Sequence, residues 1–237
     1  MSKNVKNIKL KWLNERPLSL DKLSDFFNNA RESKGGLYIW LYGNPKRIRY
    51  IGEAEEFKSR FYTHTYNITH GLYTALQCSK DEDLLEFYKK CNDIADDFDE
   101  HPIYRPKKIC ETNKSRPNAY AKLNSEDLKK YVKDIVRGIQ MRWDEFKDTE
   151  FLFAEIIDDN GKTANADLRK EVEACVMKKT ADTYKTKWKM FSRTTFGGSI
   201  SRSPQKNTYY KFTCDGTIHR ALQDIGITEE WEYCNEN

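Results

Sequence analysis

An α+β fold, a small mixed β-sheet flanked by helices, follows from three features of the sequence. Residues 37–42 (LYIWLY) and 48–52 (IRYIG) are runs of aromatic and branched side chains, and Gly43-Asn44-Pro45-Lys46-Arg47 between them supplies turn formers, the pattern of a β-hairpin with a five-residue loop. A third apolar run, residues 150–157, is closed by the turn Asp158-Asp159-Asn160-Gly161. Elsewhere apolar residues recur at three- and four-residue spacing, as in helices that pack one stripe on a sheet. The hairpin and the third run are expected at the centre of the sheet.

Residues 1–34 read as an extension, a short strand and then a helix. Ser19 or Asp21 could cap that helix, and Leu20, Leu23, Phe26 and Phe27 form its stripe. If Tyr42 pairs with Ile48, Trp40 faces Tyr50 and Tyr38 faces Gly52. Tyr38 and Tyr50 then share one face as diagonal neighbours roughly 7 to 8 Å apart. Residues 55–64 read as a helix. Phe57 and Phe61 are spaced i, i+4, and Glu56, Arg60 and His64 repeat at that interval on a neighbouring stripe, so phenylalanines packed on the sheet would raise a guanidinium and an imidazole toward the phenols.

Residues 76–147 read as a largely helical insertion, with helical spacing over 81–97 and 125–146 and a proline-containing loop between. After the strand at 150–157 a helix begins near Ala166, with Asn165 as N-cap and Asp167 in its first turn. Leu168, Val172, Cys175 and Val176 form its stripe, and Glu171 and Glu173 lie on opposite edges, so periodicity allows either to turn toward the sheet.

The 237 residues are 33% charged and 38% hydrophobic, with a mean hydropathy of −0.87, a polar composition able to enclose a real core. No apolar run approaches the ~18 residues of a membrane span, and the first residues lack the apolar region of a secretory signal. Cys78, Cys91, Cys110, Cys175, Cys214 and Cys234 show no metal-type spacing and read as free thiols, so a cytoplasmic protein without membrane contact is expected. His70, His101 and His219 fit no ligand pattern. The net charge of +4 is unevenly spread. Residues 183–214 contain no Asp or Glu, while Lys185, Lys187, Lys189, Arg193, Arg202, Lys206 and Lys211 alternate with aromatic and hydroxyl side chains. That mixture suits a surface that tracks phosphates, and residues 183–237 are read as a basic, DNA-contacting segment.

Gly36-Leu37-Tyr38, Tyr50-Ile51-Gly52, and Arg60 with His64 four residues on resemble the signature of the GIY-YIG nuclease family, with Leu37 where isoleucine is commoner. Glu173-Ala174-Cys175-Val176-Met177 resembles that family's metal-binding glutamate and the apolar pair that follows it. The resemblance implies a nuclease core over residues 35–75 and 148–182. It also implies an endonuclease that hydrolyses double-stranded DNA, of the restriction type, with homing or repair enzymes and a non-catalytic nucleic-acid-binding module as alternatives. The implied catalytic set is Tyr38, Tyr50, Arg60, His64 and Glu173. Glu173 would hold Mg²⁺ or Mn²⁺, a hard cation that keeps most of its waters and needs few protein ligands.

On this reading Arg60 lies against the phosphate, where its permanent charge offsets charge growing in the transition state. Tyr38 or Tyr50 contacts the attacking water, and His64, expected to titrate near neutrality, accepts or relays the proton. One site cuts one strand, so double-strand cleavage calls for a homodimer or two encounters. Near Lys185 the sequence lacks the asparagine that family members often carry beyond the glutamate. Asn207 could replace it only if the chain looped back.

Overall fold

The computed structural model describes residues 4–28, 35–69, 140, 143–144, 146–187 and 204–234. Its strands are β1 (Asn4–Trp12), β2 (Leu18–Ser19), β3 (Gly36–Tyr42), β4 (Arg47–Ala54), β5 (Glu150–Ile157), β6 (Thr208–Asp215) and β7 (Glu230–Cys234). The helices are α1 (Leu23–Asn28), α2 (Phe57–Thr69), α3 (Ala166–Lys187) and α4 (Arg220–Gln223). All seven strands form one sheet in the order β4-β3-β5-β1-β6-β7, with β2 paired to β5. The β1–β6 pair is parallel and the other pairs are antiparallel. The expected α+β class with a mixed sheet is therefore observed, and the sheet is larger than expected.

The added strands come from segments read as appendages. β1 lies inside the sheet between β5 and β6, not on an N-terminal extension. β6 and β7 carry residues assigned to the basic C-terminal segment. Tyr210 and Phe212 alternate with Lys211 and Thr213, and the two aromatic residues are buried in the core while Lys211 is exposed. That is the period-two burial of a strand with one covered face. Most of the expected insertion at 76–147 lies outside the described residues. Phe146, near its end, is 1% exposed and joins the aromatic core.

Strand alternation divides the interior in two. Leu37, Ile39, Leu41 and Ile51 of the hairpin face Val172, Cys175 and Val176 of α3 in an aliphatic core. Each such fully buried aliphatic side chain contributes about 1.5–3 kcal/mol. Tyr38, Trp40 and Tyr50 face the other way, into an aromatic core with Phe57, Phe61, Phe146, Phe151 and Phe153. The phenylalanines of α2 pack on this face as expected: Phe57 meets Phe153 at 5.0 Å and Phe61 meets Phe151 at 5.3 Å between ring centres.

Trp40 opposes Tyr50 and Tyr38 opposes Gly52, as the pattern predicts. The register then shifts: Leu41 pairs with Ile48 and Tyr42 with Arg47. This irregularity puts Ile48 and Tyr50, two residues apart, on opposite faces, because an extra residue in one strand resets the alternation. Ile48 is fully buried in the aliphatic core while Tyr50 stays with Tyr38.

Candidate active site

The site is built around the Tyr38 hydroxyl. A Cβ placed on Gly52 would lie 2.3 Å from both Cζ and the hydroxyl oxygen of Tyr38. The glycine leaves the room through which the phenol ring passes. One turn apart on α2, Arg60 and His64 meet that oxygen: Arg60 Nε donates to it at 3.2 Å, and His64 Nε2 lies 2.6 Å from it. The tautomer of His64 sets the direction of the shorter bond. The Tyr50 ring lies 5.9 Å from that of Tyr38 and 5.5 Å from the imidazole, and Trp40 walls the imidazole at 4.9 Å.

Burial governs the electrostatics. Tyr38 is 3% exposed and His64 2%. Loss of water, and then the charge of Tyr50, push the Tyr38 phenol well above its ordinary value against the opposing pull of Arg60. For His64, burial and then the Arg60 cation depress the pKa to about 3. The imidazole is therefore neutral at physiological pH and does not titrate near neutrality as its position on the helix led us to expect. Spacing alone shows that His64 reaches the phenols, not that Trp40 and the aromatic core exclude water from it.

Four of the five expected catalytic residues thus converge: Tyr38, Tyr50, Arg60 and His64. Glu173 comes from α3, whose stripe covers the opposite face, and it is 3% exposed. The structure does distinguish the two glutamates that periodicity left open. Glu171 is committed to the β1–β6 side, where it bonds Lys6 Nζ at 2.6 Å and accepts from the Tyr210 hydroxyl at 3.2 Å. On the other edge of α3, Arg169 Nε reaches Glu53 of β4 at 3.2 Å. Glu173 follows Arg169 by four residues and shares its stripe, on the β4 side. Arg169 and Glu53 were not singled out in the sequence, although the i, i+4 spacing of Arg169 to Glu173 was there to be seen.

Among the described residues no group of three or more His, Cys, Asp or Glu side chains could hold a metal ion. The carboxylate that the resemblance offers, Glu173, is only 3% exposed. That enclosure does not fit a hydrated Mg²⁺ or Mn²⁺, which keeps most of its positions for water and a substrate phosphate.

The expected DNA-contacting residues scatter. Lys185 and Lys187 belong to the C-terminal end of α3, whereas Lys189, Arg193 and Arg202 lie outside the described residues. Lys206 is exposed in the turn before β6. Asn207 occupies the same turn with a left-handed φ of 57°. β6 is four strands along from β4, roughly 19 Å at ordinary strand spacing. Asn207 thus leads into the strand beside β1, not into one beside the hairpin. His219 has a structural task, its Nδ1 accepting from the Ala221 amide at the start of α4. No helix among the described residues is long and apolar enough to cross a membrane. Comparison with protein-family models, with curated proteins and with solved structures gives no match for this chain.

Proposed function

We propose that this protein is a metal-dependent endodeoxyribonuclease of the GIY-YIG type, cleaving phosphodiester bonds of double-stranded DNA in a restriction or defence setting. The observation that carries the reading is the Tyr38 hydroxyl held by Arg60 at 3.2 Å and His64 at 2.6 Å beneath the hairpin. The guanidinium and the uncharged imidazole hold the phenol in one orientation with a permanent positive charge beside it.

The roles follow from exposure and charge. Tyr50, half-buried beside the nearly enclosed Tyr38, is the phenol that meets the attacking water. Tyr38 lies behind it and bonds His64; with the imidazole pKa depressed to about 3 and the phenol raised above its ordinary value, this bond orients Tyr38 and does not take its proton. Arg60 orients Tyr38 and sets a permanent positive charge near the phosphate. The resemblance assigns Mg²⁺ or Mn²⁺ to Glu173, where the ion would supply charge relief on the phosphoryl and leaving oxygens; the enclosed carboxylate does not fit it as folded, and none of the roles above depends on it. A homodimer, or two successive encounters, would complete a double-strand break.

Plasmid incubated with the protein and Mg²⁺ is expected to be nicked and then linearised, with EDTA abolishing both events. A specific observation favours a second reading, a nucleic-acid-binding module without turnover: exposures of only 3% and 2% for Tyr38 and His64 also suit a purely structural bond. Binding without nicking in any divalent metal would establish that reading and remove ours. Matched RNA and DNA duplexes in the same assay separate an RNA substrate.

A further inference from the structure

Away from the phenols, on the face that α3 covers, one cysteine stands between two tryptophans. Leu10 opposes Cys214 in the parallel β1–β6 pair, and Phe212 opposes Trp231 in the antiparallel β6–β7 pair. Trp12 follows Leu10 by two residues and Cys214 follows Phe212 by two, so both indoles share the face of the thiol as its diagonal neighbours. Trp231 lies flat on Phe212, with ring centres 3.8 Å apart and planes 3° from parallel. Trp12 is confined by Gly216, where an added Cβ would come within 3.3 Å of the Cβ of the tryptophan. The two tryptophans are 6% and 5% exposed, and neither indole N–H completes a hydrogen bond among the described residues. Cys214 itself is half-buried. Burial raises its thiol above the ordinary range, and the N–H groups of Trp231 and then Trp12 oppose that rise as donors directed at the sulfur.

We propose that Cys214 is a site of oxidation by hydrogen peroxide, and that Trp12 and Trp231 hold the oxygen it gains. Sulfur is a weak acceptor, so the thiol leaves two buried donors unsatisfied, and unsatisfied buried donors are costly. In the reaction the Cys214 thiolate attacks one oxygen of the peroxide. The S–O bond forms as the O–O bond breaks, and the departing hydroxide takes up the proton that the thiol released. Sulfur gives two electrons to the peroxide, and the products are a cysteine sulfenic acid and water. The new oxygen extends one bond beyond the sulfur. Once ionised, it accepts charge-assisted hydrogen bonds from both indoles. A raised thiol makes the attack slow at neutral pH, because the thiolate is the nucleophile. The two donors act afterwards, by preserving the oxidised form. Cys175, fully buried, offers the peroxide no access. The inference stands apart from the nuclease reading, since Cys214 packs with the aliphatic core and the phenols with the aromatic one.

The test treats the full chain with hydrogen peroxide, removes the excess with catalase and adds dimedone, which traps sulfenic acid, after increasing delays. Mass spectrometry of the peptides then gives the labelled fraction at each cysteine. Wild type is compared with Trp12→Phe and Trp231→Phe, which keep an aromatic ring in place and lose the N–H. Cys234, also half-buried but alternating to the other face of the sheet from Trp231, is the internal reference. The trappable form at Cys214 is expected to survive about ten-fold longer than at Cys234, and either substitution should shorten that survival by about ten-fold, the scale of one lost hydrogen bond to a charged oxygen. Circular dichroism checks that each variant is folded, and the comparison of the two cysteines within wild type decides the matter where a variant is not. Absence of label at Cys214 overturns the inference. So does survival no longer than at Cys234, or survival unchanged in the folded variants.

Discussion

Two tyrosine hydroxyls in this molecule are each held by two partners, and the partners differ in kind. Tyr210 accepts from the Gln205 amide at 2.9 Å and donates to Glu171, a carboxylate already paired with Lys6. Tyr38 accepts from Arg60 and meets an imidazole kept neutral by burial and by that same arginine. Burial raises both phenols above their ordinary range. The carboxylate beside Tyr210 is neutralised by a standing charge, so the arrangement locks α3 onto β1 and β6. Beside Tyr38 the second partner is an uncharged imidazole, so the arginine's positive charge bears on the hydroxyl itself. The charge state of the acceptor, and not the presence of a bonded tyrosine, separates a brace from a candidate catalytic group.

Substitutions that treat the two clusters alike should sharpen the contrast. The largest effect is expected at the hairpin: Tyr50→Phe should lower nicking by about 10²–10⁴-fold, the usual share of acid–base catalysis, with DNA affinity in a gel-shift titration unchanged. Wild-type nicking by Tyr50→Phe would make both clusters braces. Next in size is a pH effect confined to the Tyr38 cluster. Below pH 6.5 an unfolded imidazole binds a proton that folded His64 refuses until about pH 3, so protons favour the unfolded state in that window. Stability from His64 is complete above pH 6.5 and falls as the pH drops toward 3. Urea melts across this range should show a shallower decline for His64→Gln than for wild type, and identical slopes would place the imidazole in contact with water. The smallest effect belongs to the brace: Tyr210→Phe should cost about 0.5–1.5 kcal/mol of stability, as expected for one lost hydrogen bond, and leave nicking intact. A nicking defect there would erase the distinction drawn between the clusters.

The sequence carried the hairpin side of the molecule well and the rest unevenly. Alternation in LYIWLY and the glycine opposite Tyr38 sufficed to pair Trp40 with Tyr50 and to put both phenols on one face. The shift beyond Trp40 was not legible, because an extra residue in a strand leaves no mark on composition. β6 is hidden for a different reason: Lys211 and its neighbours form part of a basic run, and the charges mask the alternation of Tyr210 and Phe212 with polar residues. For His64, the spacing gave its position but not its surroundings, since Trp40, which walls the imidazole, comes from β3 and is itself packed on Phe146 from a distant part of the chain. The edges of α3 are set by Lys6 on Glu171 and Glu53 on Arg169, partners that a helical period cannot name.

The parallel pairing of β1 with β6 places Asn4 opposite Thr208 and Lys11 opposite Asp215. An early strand must therefore wait for one translated much later before its second edge is satisfied, and closing so long a loop slows folding. A nascent chain emerging from the ribosome could zip the β3–β4 ribbon at once. The sheet as a whole assembles only after β6 and β7 have been translated, and a truncation that removed β6 would leave β1 with an open edge on the side where its neighbour should stand.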